Sequence, residues 1–99
     1  MDEKYLKLGR LIAGQCPAGF REARLEAALD VNWADFKLAC TGPVGDEAET
    51  PIAGPAVSEI HIVLADIRDA MAAQDGAGPW RSCVVTLRQG GHFAIEVEY

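Results

Sequence analysis

Apolar positions in the second half of the chain change period once, and the change separates a helix from a hairpin. Over residues 58–74, Ile60, Val63, Leu64, Ile67 and Met71 recur at i, i+3, i+4, i+7 and i+11, which lays one apolar stripe along an amphipathic helix. Ser58 stands where a hydroxyl can cap the first turn, and Gly76 where a left-handed residue can end the helix. Full burial of the stripe contributes about 1.5–3 kcal/mol per side chain before the entropy of ordering is subtracted. After Pro79-Trp80 the period falls to two. Cys83, Val85 and Leu87 alternate with polar neighbours over residues 81–88, and Phe93, Ile95, Val97 and Tyr99 do so over 92–99. For both sets to share one face of a hairpin the loop must hold an odd number of residues. Gln89-Gly90-Gly91 satisfies this as a three-residue turn with Gly91 left-handed.

The first half repeats the order helix then hairpin. Over residues 2–15, Tyr5, Leu8, Ile12 and Cys16 form a stripe with Leu6 and Leu11 at its margins. Asp2 and Glu3 complement the dipole at the start, and Pro17 stops the helix. Residues 20–29 carry two conflicting signals. Their Ala, Leu, Glu and Arg content favours helix, but Ala23, Leu25, Ala27 and Leu29 alternate with Arg24, Glu26 and Ala28. Residues 35–41 alternate too, with Phe36, Leu38 and Cys40 on one side. The two segments make a hairpin if an even loop joins them, and Val31-Asn32-Trp33-Ala34, flanked by Asp30 and Asp35, is even. Strand is therefore the reading taken. Residues 41–56 contain Gly42-Pro43, Gly45, an acidic run Asp46-Glu47-Ala48-Glu49 and Gly54-Pro55. They read as loop, with a short extended piece near residues 51–53.

At 99 residues these elements make one domain, residues 1–99. The expected fold class is α+β, an antiparallel sheet covered on one face by two helices in the order α-β-β-loop-α-β-β, because that arrangement buries every apolar stripe at once. The uncovered face then shows Arg24, Glu26, Lys37, Val84, Thr86, Arg88, Glu96 and Glu98. Trp80, stiffened by Pro79, is expected to anchor the junction of second helix and last hairpin, with Phe93 and Tyr99 as further aromatic anchors of a core otherwise rich in Ala.

Charge narrows the partners. Fifteen acidic and nine basic residues give a net charge of −6, which disfavours direct nucleic-acid binding and an anionic membrane surface. It suits a basic protein partner. No stretch is apolar for long enough to cross a membrane, and the charged N-terminus lacks a signal-peptide core. The odd set Cys16, Cys40 and Cys83, each inside an apolar pattern, reads as three free core thiols of a cytoplasmic protein.

No constellation announces a reaction. Glu59 and His61 are two apart on a helix and do not face each other, so they make no metal pair. His92 beside the turn has no sequence-linked nucleophile, and no thiol sits where its pKa would fall. Asp66 and Asp69 are one turn apart and are read as a solvated face rather than an acid–base pair. No catalytic residue, metal or cofactor is expected. One position resists a purely structural reading: Ile62 projects from the polar side of the helix, among Asp66 and Asp69. A hydrophobic centre with a charged rim suits contact with a basic partner. Asp30 and Asp35, read as facing across the first hairpin, are candidates for a second point of cationic contact.

The order of elements resembles the YezG-type bacterial immunity proteins. The residues that carry the resemblance are Pro17-Ala18-Gly19-Phe20, the helix from Ile60 to Met71, Pro79-Trp80, Gly90-Gly91-His92-Phe93 and the closing Glu98-Tyr99. The resemblance implies a non-catalytic protein that neutralises a cognate bacterial toxin by binding it. With the charge it leads to the expectation of a basic, nuclease-like toxin domain as partner. The alternatives are a homo-oligomeric structural or adaptor domain, which as a homodimer would use the open sheet face or an edge, and a small-ligand binder.

Overall fold

The computed structural model describes residues 3–30, 33–76 and 78–99. Two helices, α1 (Glu3–Gln15) and α2 (Gly54–Asp75), cover one face of a sheet built from β1 (Glu22–Leu29), β2 (Ala34–Thr41), β3 (Glu47–Thr50), β4 (Ser82–Arg88) and β5 (His92–Glu98). The strand order is β3-β2-β1-β4-β5, and every neighbouring pair is antiparallel. The fold is thus α+β in the order α-β-β-β-α-β-β, with a short edge strand added to the expected set.

Register turns the alternating patterns into rows of contact. Leu25 on the central strand lies between Leu38 and Val85, and Val85 faces Ile95, so one apolar row crosses four strands. A parallel row joins Cys40, Ala23, Leu87 and Phe93. Onto these rows the helices set Leu8, Ile12, Ile60, Val63, Leu64 and Ile67, all buried. Trp80 closes the core at 1% exposure. At the far edge the Tyr5 and Phe93 rings meet edge to face, 5.6 Å between centroids. Phe93 is half-buried there, whereas Tyr99 is 57% exposed. Tyr99 therefore does not anchor the core. It follows the last ladder pair, Ser82 with Glu98, and has the right parity without anything to cover it.

Residues 22–29 are strand despite their helical propensity. β1 is the middle strand and pairs on both edges, with β2 and β4; two ladders outweigh an intrinsic preference of a few tenths of a kcal/mol per residue. The first hairpin is tighter than expected. Ladder pairs reach Leu29 with Ala34, and the Asp30 N–H donates to the Trp33 carbonyl at 2.8 Å. The even parity is kept, but Asp30 faces Trp33 and Asp35 faces Ala28, so the two aspartates are not opposite each other. The centre of that loop, Val31-Asn32, and the dipole role of Asp2 lie outside the described residues. The second hairpin has its three-residue turn, with Gly90 as well as Gly91 at positive φ, 97° and 89°.

The acidic run is not loop. Glu47–Thr50 adds to β2 as β3, after a turn in which the Gly42 N–H donates to the Asp46 carbonyl at 2.9 Å. Residues 51–53 stay outside any strand. Helix α2 begins a turn before Ser58. Its N-cap is Ala53, with no side-chain cap bond and Pro55 in the first turn, a position that needs no donor. The Ala53 N–H instead donates to Gln15 Oε1 at 3.0 Å, which ties the end of α1 to the start of α2. Gly76 ends the helix at φ 67°, and its N–H reaches the Ala72 carbonyl.

The cysteine expectation is corrected in part. Cys16, just past α1, and Cys40, on the inner face of β2, form a disulfide with Cα atoms 6.1 Å apart. Only Cys83 is a free thiol. Two positions that each point into one thin core come within bonding reach of each other. A bridge is characteristic of oxidising compartments, so the thiols no longer argue for the cytoplasm. Among the described residues no helix is long and apolar enough to cross a membrane.

Candidate functional site

Helix α2 buries one stripe and presents the opposite one. With Ile60, Val63, Leu64 and Ile67 against the sheet, the 100° step of the helix sends Glu59, Ile62, Asp66 and Asp69 outward along one ridge. All four are exposed, and Ile62 is 62% exposed. Arg68 is the sole Lys or Arg in the helix and turns to its flank, half-buried. The ridge is an aliphatic side chain with carboxylates on either side along the axis. It can meet a cationic surface that brings an apolar contact, and it holds no chemistry beyond that.

The other two candidate aspartates do not join the ridge. Asp35 lies on the uncovered sheet face, beside Lys37, Glu26 and Glu98 in a shallow depression, a full layer away from the outer side of α2. Asp30 sits at the hairpin end, at the mouth of a cleft that also includes Arg68, Trp33 and Trp80. The five residues therefore belong to three places: Ile62, Asp66 and Asp69 together, Asp30 at one end, Asp35 behind.

The uncovered face is more acidic than the sequence pattern indicates, because the unexpected β3 adds Glu47 and Glu49 beside β2. Arg24 pairs with Glu47 at 3.8 Å, and the Arg88 Nε donates to Glu22 Oε1 at 2.9 Å. Both pairs are exposed and stabilise the fold little. A four-residue alternation inside a Gly/Pro-rich stretch was the only available signal for β3, and it is too short to separate strand from loop. The cleft left no sequence signal at all, since its residues come from β1, the hairpin, α2 and the approach to β4.

The residues considered for chemistry are dispersed. His61 touches Phe36 edge to face, with 6.3 Å between ring centroids, and His92 is exposed at the start of β5. Cys83 is buried, and burial pushes its thiol up to about 12, the reverse of what a nucleophile requires. Among the described residues no group of three or more His, Cys, Asp or Glu side chains could hold a metal ion. No protein-family model matches the chain, and no curated protein matches it.

Proposed function

We propose that this chain is a non-catalytic immunity protein, which binds a basic, nuclease-like bacterial toxin domain and neutralises it by occlusion. The observation that carries the reading is the α2 ridge. Ile62, 62% exposed, stands between Glu59 and the pair Asp66 and Asp69 on a helix face with no base on it. An aliphatic centre with a carboxylate rim fits a cationic partner, and a net charge of −6 speeds encounter with one. The resemblance to YezG-type proteins supports the same reading. A cytoplasmic location goes with that reading, and the Cys16–Cys40 bridge is the feature that speaks for an oxidising compartment instead.

The test is co-expression with a basic toxin domain encoded beside this chain, read by survival and by complex formation. Asp66→Lys with Asp69→Lys is expected to slow association about tenfold at low salt, and Ile62→Asp to weaken the complex by at least about tenfold. All three positions are exposed, so melting should be nearly unchanged. Undiminished survival with the three substitutions combined would remove the ridge from the interface. Absence of rescue and of any complex would sink the immunity reading.

A second reading has one observation in its favour. Strand β5 is an edge of seven residues with no strand beyond it among the described residues. Its backbone can template pairing with a second copy, which would make the chain a homodimeric adaptor.

A further inference from the structure

Where β1 leaves the sheet and β4 enters it, a cleft of about 650 Å³ is lined by Leu29, Trp33, Arg68, Pro79, Trp80 and Arg81 among others, a volume suited to a small molecule. Two of these residues carry orphaned donors. Trp80 Nε1 and Arg68 Nε are buried, and neither meets a protein acceptor. Trp80 as a whole is 1% exposed, so its N–H has given up water without replacement. Native interiors contain few such groups, and two on one cleft call for an acceptor.

Charge at the cleft points to the same need. Neither Arg68 nor Arg81 has an ion-pair partner among the described residues, although the chain holds fifteen acids. Among the described residues the one carboxylate at the cleft is Asp30, which already has an interaction of its own. Two guanidinium groups against one carboxylate leave a positive balance in a chain of net charge −6. The remaining lining is mostly apolar: two indoles, a proline ring, Leu29 and Ala28, with the Ser82 hydroxyl already donating to Glu98. Trp33 is 53% exposed at the rim, where it is free to cover a bound group.

We propose that this cleft binds a small organic carboxylate with a flat apolar body. Arg68 and Arg81 take the carboxylate, a planar acceptor that suits guanidinium forks. One carboxylate oxygen accepts from Trp80 Nε1, and the apolar body lies against the indoles and Pro79. The two orphaned nitrogens have almost no exposed surface, so binding includes a turn of the half-buried Arg68 side chain that opens them to the ligand. The site is separate from the α2 ridge and does not depend on the immunity reading.

The chain contains two Trp, and both line the cleft. Intrinsic fluorescence and the two indole N–H resonances of the full chain therefore report the site directly, with Trp33→Phe assigning them. Phenylacetate at constant ionic strength is expected to give a saturable fluorescence change and to move the Trp80 indole N–H downfield. Phenylacetamide, of the same shape without the charge, should bind at least about tenfold more weakly, the scale set by hydrogen bonds to a charged group. Arg81→Gln, at an exposed position where the melting curve should hold, should weaken phenylacetate binding about tenfold, and Arg68→Gln at least as much. The proposal is overturned by any of four results: no saturable response to phenylacetate, benzoate or cyclohexanecarboxylate; equal binding of phenylacetamide or of inorganic sulfate; a shift confined to the Trp33 resonance; or unchanged affinity in Arg81→Gln.

Discussion

The thiol of Cys83 faces the core from β4 at 3% exposure, and loss of water around it raises its pKa from 9.0 to about 12. The thiolate is the disfavoured form in the folded chain. Below pH 9 both states keep the proton and the thiol has no effect on stability. Between about pH 9 and 12 the unfolded chain releases a proton that the native chain retains, and stability falls by about 1.4 kcal/mol per pH unit. Denaturant melts from about pH 8 to 10.5 should show the wild-type chain losing stability faster than Cys83→Ala over that window. Parallel slopes would mean that the thiol titrates as freely in the native state as in the unfolded one. At this scale the sequence was informative about faces and silent about cover. Parity placed Cys83, Phe93 and Tyr99 on one side, yet exposure ranges from 3% at Cys83 to 57% at Tyr99, because the helices lie over the middle of the sheet and leave its far corner open. Trp80 was legible for a different reason: a large aromatic directly after proline, at the end of a long helix, has little else to pack on.

Among the elements, α1 is held by covalent and polar ties as well as by packing. The Cys16–Cys40 bridge closes a separation of 24 residues, and Gln15 accepts from the Ala53 N–H one residue earlier. Closing a loop of that length removes unfolded-state entropy equivalent to about 3 kcal/mol. Thermal melts with and without reductant should therefore differ by more than about 10 °C for a domain of this size, and Cys16→Ser should match the reduced wild type. Equal melting temperatures would show that the bridge does not constrain the unfolded chain. Helix α2 and the β4–β5 hairpin were readable because one period runs through each without interruption and loop length agrees with parity. β1 was readable only by trusting alternation over propensity. β3 was not readable, since Glu47–Thr50 has no apolar stripe of its own and is strand solely because the β2 edge offers it hydrogen bonds. The bridge was missed for a related reason: two inward-facing cysteines on different elements look alike in sequence whether or not the elements bring them together. The cleft is a further step removed, since it exists only once four separate segments have been assembled.

The whole molecule has two layers and therefore two large outer surfaces: the open sheet face, which is acidic, and the back of the helices, where the acidic α2 ridge shares the layer with the exposed Lys7 and Arg10 of α1. That distribution gives the two readings of function opposite responses to salt. A basic partner on the α2 ridge is drawn in by the net charge of −6, so screening slows its association. A second copy joining at β5 brings a like charge, with Glu96 and Glu98 on the strand itself, so screening relieves repulsion and tightens the dimer. Sedimentation of the chain alone and association kinetics with the candidate toxin domain, each at about 50 and 500 mM salt, separate the two because the Debye length falls severalfold over that range. The immunity reading expects a monomer at both concentrations and a complex that forms more slowly at the higher one. A dimer that strengthens with salt, together with no heterologous complex, would instead make the β5 edge the working surface and leave the α2 ridge as solvated exterior.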